Sequence, residues 1–503
     1  MRSPFSKAEL LLAIPSAAIL IFVQLQLLPY CADDAYIHFR IAQNLATNGA
    51  PYFNPEQAVM ATSSIVWTLL LGAIFFVVGY APALVAVVNA LITVGAAIVF
   101  SRLAATLYGQ SSERIATASF ILTLACLLSS SIQLMETPLA LLLLGLGLHA
   151  YFRGRSIAFV WLVLACFTRL EFLAFLAVVL GENFLYRRVP LKAAALSIAA
   201  AAMPLIVLDY YFFGTIVPQT VVAKSVIYNL SSSEFLTFAV AGLLGKYLFY
   251  TYPLIVLIYF ALLTTITIYL SLLHLHPPEY VVRDQRALVI LAGGLLVFLT
   301  YTLKQVYIFP WYVPLYSLPI FFALLFMATT KKSTPLKLLA TLLIAPTLFS
   351  FCRDLAAGLG VASVANYSEY EGGVRAQAYR GLGAKLGSAC PQCKLMAAEI
   401  GGLGSAFPGF ILDAAGLASP EALPYQKKLM REKRNSLGGI IPPEFVRSSN
   451  PDYIVGMKSF LEEFAGSDVA KEYRAENVEI SPASLAKVLG EPLQLYTKLK
   501  KNS

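Results

Sequence analysis

Two adjacent carboxylates, Asp33 and Asp34, follow directly after the first long apolar run, in the segment CADDAYIHFR. Carboxylates are poor membrane anchors, so this position predicts chemistry at the membrane surface. Sugar transfer from a lipid-borne phosphate needs such a group, because a carboxylate base accepts the proton of the attacking hydroxyl. Neighbouring side chains point in different directions, and we predict that Asp33 is the base. Asp34 then orients the acceptor, holds a cation or caps a helix beginning at Ala35.

Other ionisable and polar residues stand at the ends of separate apolar runs, on the same predicted side of the membrane. If the runs pack into a compact bundle, these side chains converge on one cavity where lipid meets water. Cations and amides there would stabilise the departing phosphate. The predicted donor-binding residues are Arg169, Lys224, Lys304 and Gln219. The predicted substrate-binding residues are Glu136, Glu171, His38, Trp311 and Tyr312.

Each of these residues also has a structural interpretation that involves no substrate. Aspartate is a favoured helix cap, and a glutamate at a helix start offsets the dipole. The structural alternatives are caps for Asp33 and Asp34, a charge that offsets the helix dipole for Glu136, an ion pair for Arg169 and Glu171, an interfacial lysine for Lys224, and an aromatic belt for Trp311 and Tyr312. His38 lies four residues after Asp34, which favours a hydrogen bond or a metal site. The structural contact is the commoner outcome, so no metal ligand or cofactor is assigned, although a divalent cation is compatible with the pair.

The composition indicates a membrane protein. The chain has 503 residues, of which 58% are hydrophobic and only 13% charged, and its mean hydropathy is +0.72. These values exclude an ordinary soluble protein. The net charge of +9 is not a nucleic-acid signature, because Lys and Arg lie mostly in short loops between apolar runs and in the tail. The first run has no small-residue cleavage site behind it and is predicted to stay as a span.

Eleven spans are predicted from the apolar runs. They lie near 9–30, 84–101, 115–132, 138–152, 156–168, 171–186, 191–212, 250–273, 287–303, 311–329 and 335–352. The run 64–80 is instead predicted as a helix on the outer surface, with Trp67 at the headgroup level. With that choice, the basic loop residues all lie on the same side of the membrane, which is then the cytoplasmic side. The N-terminus is then cytoplasmic and the acidic pair is outside.

The C-terminal part differs in composition from the rest. From about Arg353 the sequence is mixed polar, Gly-rich and Pro-punctuated, which predicts an extracytoplasmic α/β domain. The prediction divides the chain into a membrane bundle, 1–352, whose first loop is 31–83, and this domain, 353–503. Cys390 and Cys393 favour a local disulfide. The segment with Glu399, Gly401, Gly402, Asp413 and Gly416 either binds a glycan acceptor or forms a strand-turn-strand element with tight turns.

Several of these segments resemble the bacterial fold-type-C (GT-C) integral-membrane glycosyltransferases, particularly the terminal arabinofuranosyltransferase branch. The strongest likeness runs from DDAYI to TSSIVW in the first loop. Further matches are METPLALLL, TRLE, FGTIVPQTVVAK and AAEIGGLGSAFPGFILDAAGLASPEAL. Compared with that branch, TRLEF lacks the Pro and Gly of a TRPEG element, and Gln219 stands where Asn is common.

The resemblance implies a multi-pass protein of the bacterial inner membrane with an outward-facing active site. On that analogy, Asp33 matches the catalytic acidic position of an inverting transferase. The implied partners are membrane lipids, a polyprenyl-phosphate sugar donor, with arabinofuranose as one candidate sugar, and a glycan, lipid or protein acceptor in the cell envelope.

Two other classes of function remain open. A lipid-linked-sugar transporter or flippase would also be a helical bundle, but it should place polar groups near mid-membrane. A non-catalytic partner in glycan assembly would tolerate the loss of Asp33. The charges at helix ends favour the enzyme.

Overall fold

The structure, a computed structural model, describes residues 7–108, 113–228, 281–304, 307–330, 334–363, 371–432, 439–480, 486 and 488–499. The described chain is mainly α-helical, with one small sheet in its C-terminal part. This confirms the predicted fold class. The predicted span 250–273 lies outside the described residues.

Thirteen helices form the described part of the bundle. They are α1 (Lys7–Leu27), α2 (Asp33–Asn48), α3 (Ile65–Val78), α4 (Pro82–Tyr108), α5 (Glu113–Ile132), α6 (Thr137–Tyr151), α7 (Ile157–Thr168), α8 (Leu173–Tyr186), α9 (Leu191–Phe213), α10 (Gln219–Ile227), α11 (Val281–Lys304), α12 (Val313–Thr330) and α13 (Thr334–Gly358). The last helix continues to Gly358, beyond the predicted boundary at 352.

Six helices within the described residues are long and apolar enough to cross a membrane. They cover Leu11–Tyr30, Pro82–Leu107, Glu113–Ile132, Leu191–Phe213, Pro310–Ala328 and Lys337–Gly358. Other predicted spans are shorter helices, such as α6 and α7, which fall below the roughly 20 residues that a bilayer core requires. These two helices pack against each other in the bundle. The chain is therefore a multi-pass membrane protein whose shorter helices complete the bundle.

Helix α3 differs from its prediction at Trp67. The expected position was the headgroup level, but the indole is 1% exposed and belongs to the main apolar cluster of the bundle. Phe39 and Phe75, from α2 and α3, meet edge to face in the same cluster, with ring centroids 6.0 Å apart. Trp67 is therefore a core residue of the bundle, and its indole is not exposed at the protein surface.

The C-terminal part is an α/β unit, as predicted. Its strands are β1 (Lys394–Ala397), β2 (Phe410–Asp413), β3 (Tyr453–Met457), β4 (Tyr473–Asn477) and β5 (Leu493–Lys498), in the order β2-β1-β3-β5-β4. The first three are parallel, while β5 runs antiparallel to β3 and β4. Its described helices are α14 (Glu371–Ala389), α15 (Gly401–Gly404), α16 (Leu423–Glu432), α17 (Pro443–Ser449) and α18 (Lys458–Ala465).

One face of this sheet is completed by the first loop. Ile37 and Ile41 of α2 and Phe53 beyond it share an apolar cluster with Leu395 and Ile411 of the sheet. Side chains alternate between the faces of a strand, so Met396 belongs to the cluster on the other face. The C-terminal part therefore does not have a core entirely of its own.

Arg40 joins the first loop to the C-terminal part by hydrogen bonds. Its guanidinium is buried and donates to the carbonyl oxygens of Phe53 (2.7 Å), Gly404 (2.9 Å), Phe407 (2.7 Å) and Gly409 (3.0 Å). Burial lowers the pKa of Arg40 to about 10, so the side chain stays charged near neutral pH. Backbone carbonyls that are buried need donors, and this one side chain supplies four of them.

Candidate active site

The acidic pair lies in the first turn of α2. The preceding residue, Ala32, has extended backbone angles, and it makes no side-chain capping bond. The helix therefore begins at Asp33, not at Ala35, and neither aspartate caps it. Two carboxylates near a helix N-terminus are favoured by the helix dipole.

The two side chains have different partners, as the helical spacing predicts. Asp33 accepts hydrogen bonds from the backbone N–H groups of Gly401 (2.9 Å to Oδ2) and Gly402 (2.7 Å to Oδ1). Burial, followed by the carboxylate of Glu399, raises the pKa of Asp33 to about 7, against the lowering effect of the two N–H groups. Asp33 can thus exchange a proton near neutral pH.

Asp34 faces a lysine. The Nζ atom of Lys224 lies 3.9 Å from Oδ2 of Asp34 and donates a hydrogen bond of 2.7 Å to the hydroxyl of Tyr312. Burial alone would favour the neutral amine, but Tyr312 and Asp34 hold the pKa of Lys224 above its usual range. The lysine is therefore a partly buried cation beside the acidic pair.

A second charged group adjoins this pair. Arg169 donates to Glu136 Oε1 (2.6 Å) and to Glu171 Oε1 (2.7 Å), and its guanidinium lies 4.1 Å from the ring centre of Tyr312. Tyr301 donates to Glu171 at 2.8 Å. Burial favours the neutral form of Glu136, but Arg169 outweighs it and holds the pKa of Glu136 below its usual range. Since one arginine serves two carboxylates, this group carries a net negative charge.

His38 connects the acidic helix to that group. Its Nε2 lies 3.6 Å from Glu136 Oε2, and its Nδ1 lies 3.3 Å from the hydroxyl of Thr62. Burial lowers the pKa of His38 and outweighs the opposite effect of Glu136, so the ring is neutral near pH 7. Within the described ranges, no three His, Cys, Asp or Glu side chains are grouped as metal ligands.

The remaining predicted residues lie at the edge of this cluster or apart from it. Gln219 donates to the carbonyl of Gly416 at 3.0 Å and so contacts the C-terminal part. Trp311 is buried and stacks on Phe309, with ring centroids 4.7 Å apart. The backbone of Lys304 ends α11, and its side chain lies outside what the structure describes. Cys390 and Cys393 form the expected disulfide.

Sequence reasoning missed two tyrosines of the cluster. Tyr301 binds Glu171, as described above. Tyr228 meets Phe309 edge to face, with ring centroids 6.0 Å apart, and burial, followed by the charge of Asp34, raises the pKa of its phenol. The spacing of four residues from Lys224 would have suggested a shared helical face, but α10 ends at Ile227 and Tyr228 follows it with extended backbone angles.

The segment around Glu399 is not the strand-turn-strand element that we expected. Helix α15 separates β1 from β2, and the two strands run parallel. Glu399 lies in this connection and accepts a charged hydrogen bond of 3.0 Å from Arg375. Gly416 does occupy a left-handed turn, with φ of 84°.

The assembled groups form a chemically coherent set. The site contains Asp33, whose pKa is raised to about 7, and the charged Lys224. Beside them lie Glu136 and Glu171, which share Arg169. Such a set can accept a proton, stabilise an anion and bind hydroxyl groups.

Comparison with known proteins adds one likeness. No protein-family model and no curated protein sequence matches the chain. Among solved structures, the crystal structure of ArnT from Cupriavidus metallidurans bound to undecaprenyl phosphate is similar, with a TM-score of 0.47. Sequence identity is 14%, over 96% of this chain and 85% of that one. A likeness of this degree does not assign the chain to a family.

Proposed function

We propose that this protein is an inverting glycosyltransferase that moves a sugar from a polyprenyl-phosphate carrier to an acceptor hydroxyl. The observation that carries the proposal is the contact of Lys224 with Asp34, in the acidic pair that directly follows the apolar helix Leu11–Tyr30. A lipid-borne phosphate would sit at that level, with its anomeric carbon beside the carboxylates. The resemblance of the first loop to GT-C enzymes supports the same reaction.

In the proposed step, the acceptor oxygen attacks the anomeric carbon while Asp33 takes its proton. The bond between that carbon and the phosphate oxygen breaks, and the polyprenyl phosphate leaves with the electron pair. Lys224 stabilises the charge that develops on the phosphate. Attack on the face opposite the leaving group inverts the anomeric centre.

Lys224 is a better candidate for the phosphate than Arg169. The guanidinium of Arg169 is already shared between Glu136 and Glu171, so an anion there would meet an excess of negative charge. We therefore propose that Glu136, Glu171 and His38 bind sugar or acceptor hydroxyls. Glu136 Oε2 supports this role, because it is buried and makes no hydrogen bond within the described part of the chain.

We further propose that the site and the C-terminal part face outward from a bacterial inner membrane. The side assignment rests on the distribution of Lys and Arg among the loops. Arabinofuranose is a candidate sugar on the strength of the resemblance alone. Because Lys224 supplies positive charge for the leaving phosphate, the proposal requires no divalent cation.

The test uses purified protein in lipid nanodiscs with a panel of polyprenyl-phosphate pentoses and hexoses, with and without EDTA. Mass spectrometry of released polyprenyl phosphate reports turnover. Asp33→Asn should reduce the rate between about a hundredfold and ten-thousandfold, the usual contribution of a general base. Asp468→Asn is the matched control, because Asp468 is exposed and pairs only weakly with Lys471.

Two results would overturn the proposal. Full-rate transfer by folded Asp33→Asn would show that Asp33 is not the general base. Movement of an intact lipid-linked sugar across the bilayer, without release of polyprenyl phosphate from any donor, would identify a flippase instead.

A further inference from the structure

The proposed base is held by the C-terminal part of the chain. Asp33 receives one N–H bond on each carboxylate oxygen, from residues 368 and 369 positions away. A carboxylate oxygen has two lone pairs, so each oxygen can still accept a proton or a second hydrogen bond. The contact fixes the orientation of the Asp33 carboxylate and leaves each of its oxygens able to accept a proton.

The close contact with Asp33 requires glycine at positions 401 and 402. A Cβ atom at Gly401 would lie 1.8 Å from the carbonyl oxygen of Asp33, and one at Gly402 would lie 2.3 Å from that of Ala376. Both values are far below van der Waals contact, and the atoms in the way are backbone. Only glycine at these two positions allows their N–H groups to reach Asp33.

The same segment carries a further carboxylate. Glu399 Oε1 accepts hydrogen bonds from Arg375 Nε (3.1 Å) and Nη2 (3.0 Å). Its Oε2 is buried, and the phenol of Tyr379 interacts with the same carboxylate. Arg375 therefore fixes Glu399 in the connection that leads to Gly401 and Gly402, the two residues that bind Asp33.

We propose that Glu399 is a positioning residue for Asp33, and that the C-terminal part completes the active site by setting this second carboxylate beside the base. The inference rests on the proposed function and deepens it. Mutual repulsion of the two carboxylates strengthens the proton affinity of Asp33, which suits a base that works near neutral pH. The pKa of Asp33, raised by burial and then by Glu399, agrees with this geometry.

Other groups near Asp33 contribute less directly. The titratable groups that face it from the described elements are Cys31 and Asp34 on its own segment and Tyr379 and Glu399 on the C-terminal part, with Arg375 paired to Glu399. Asp34 is paired with Lys224 and belongs to the proposed catalytic pair, whereas Glu399 lies two residues before Gly401, whose N–H binds Asp33. Glu399 is therefore the residue to change.

The test is the pH profile of kcat/KM for Glu399→Gln. Removing a negative neighbour lowers the pKa of the base, so the acid limb should move to lower pH by about one unit, the usual size for a neighbouring charge. A merely structural role would reduce the rate at every pH and leave the limb in place. Glu421→Gln is the control, because Glu421 also meets the first loop, at Gln57 (3.3 Å), in an exposed contact.

A second readout does not depend on turnover. Carbodiimide coupling of an amine modifies protonated carboxyl groups, and peptide mass spectrometry follows modification at Asp33 as pH varies. The midpoint should fall in Glu399→Gln and stay unchanged in Glu421→Gln. If the midpoint of Glu399→Gln matches wild type, the inference fails even if transfer is observed. If the midpoint falls and no donor is consumed, the inference stands and the proposed reaction fails.

Discussion

Arg40→Met should loosen the contact between the first loop and the C-terminal part. The substitution keeps an apolar stem of similar length and removes four hydrogen bonds. The carbonyl of Phe53 retains a donor, since Asn44 Nδ2 lies 3.1 Å away. The carbonyls of Gly404, Phe407 and Gly409 each lose the donor that Arg40 provided.

The expected free-energy change follows from two opposing effects. A buried carbonyl that loses its donor costs about 1–3 kcal/mol, so three cost about 6 kcal/mol. Removing the guanidinium relieves its desolvation, which the fall in the pKa of Arg40 from 12.5 to about 10 places at about 3 kcal/mol. The net loss is about 3 kcal/mol, or roughly a hundredfold in the opening equilibrium.

Hydrogen exchange in nanodiscs measures this opening directly. Amides of α15 and β2 should exchange roughly a hundredfold faster in Arg40→Met, while those of α4 should not change. Arg474→Met is the control, because that arginine is exposed and makes a long contact of 3.9 Å with Glu476. Equal protection of α15 in wild type and Arg40→Met would refute the reasoning.

Three further predictions concern other contacts. Lys224→Met should lower the rate of transfer by about a hundredfold or more, the usual loss when one electrostatic donor is removed, whereas Tyr312→Phe should have a smaller effect in the same assay. Gly401→Ala should abolish the contact with Asp33, because its methyl group overlaps backbone, and rapid exchange of the α15 amides would show this. Replacing Cys390 and Cys393 by Ser should destabilise the C-terminal part by about 2 kcal/mol, as a short closed loop predicts, and a lowered midpoint of thermal unfolding would check it.

The local features of the site could be predicted because they lie next to apolar runs. The positions of Asp33, Glu136, Arg169 and Lys224 relative to those runs place them at helix ends. Their direct partners depend on packing, which periodicity does not specify. Trp67 illustrates this limit. An apolar helix with a tryptophan near its start fits both a surface and a core position, and only packing decides between them.

Contacts between distant segments could not be predicted. Nothing near Asp33 in the sequence indicates that its oxygens meet Gly401 and Gly402. Arg40 lies in the first loop, yet three of its four carbonyl partners are more than 360 residues away. Helix ends are local properties, whereas these contacts depend on the tertiary arrangement of the whole chain.

The apolar cluster shared by Ile37, Ile41 and Phe53 with the sheet has a consequence for biogenesis. During synthesis, the first loop emerges long before the sheet residues of this cluster, since Leu395 follows Ile37 by 358 positions (395 − 37). At ribosomal speeds of about 5–20 residues per second, that gap lasts roughly 20 to 70 seconds. During this interval the three apolar side chains lack the sheet that covers them in the folded protein, so the nascent chain has to be protected from aggregation until β1 and β2 are synthesised.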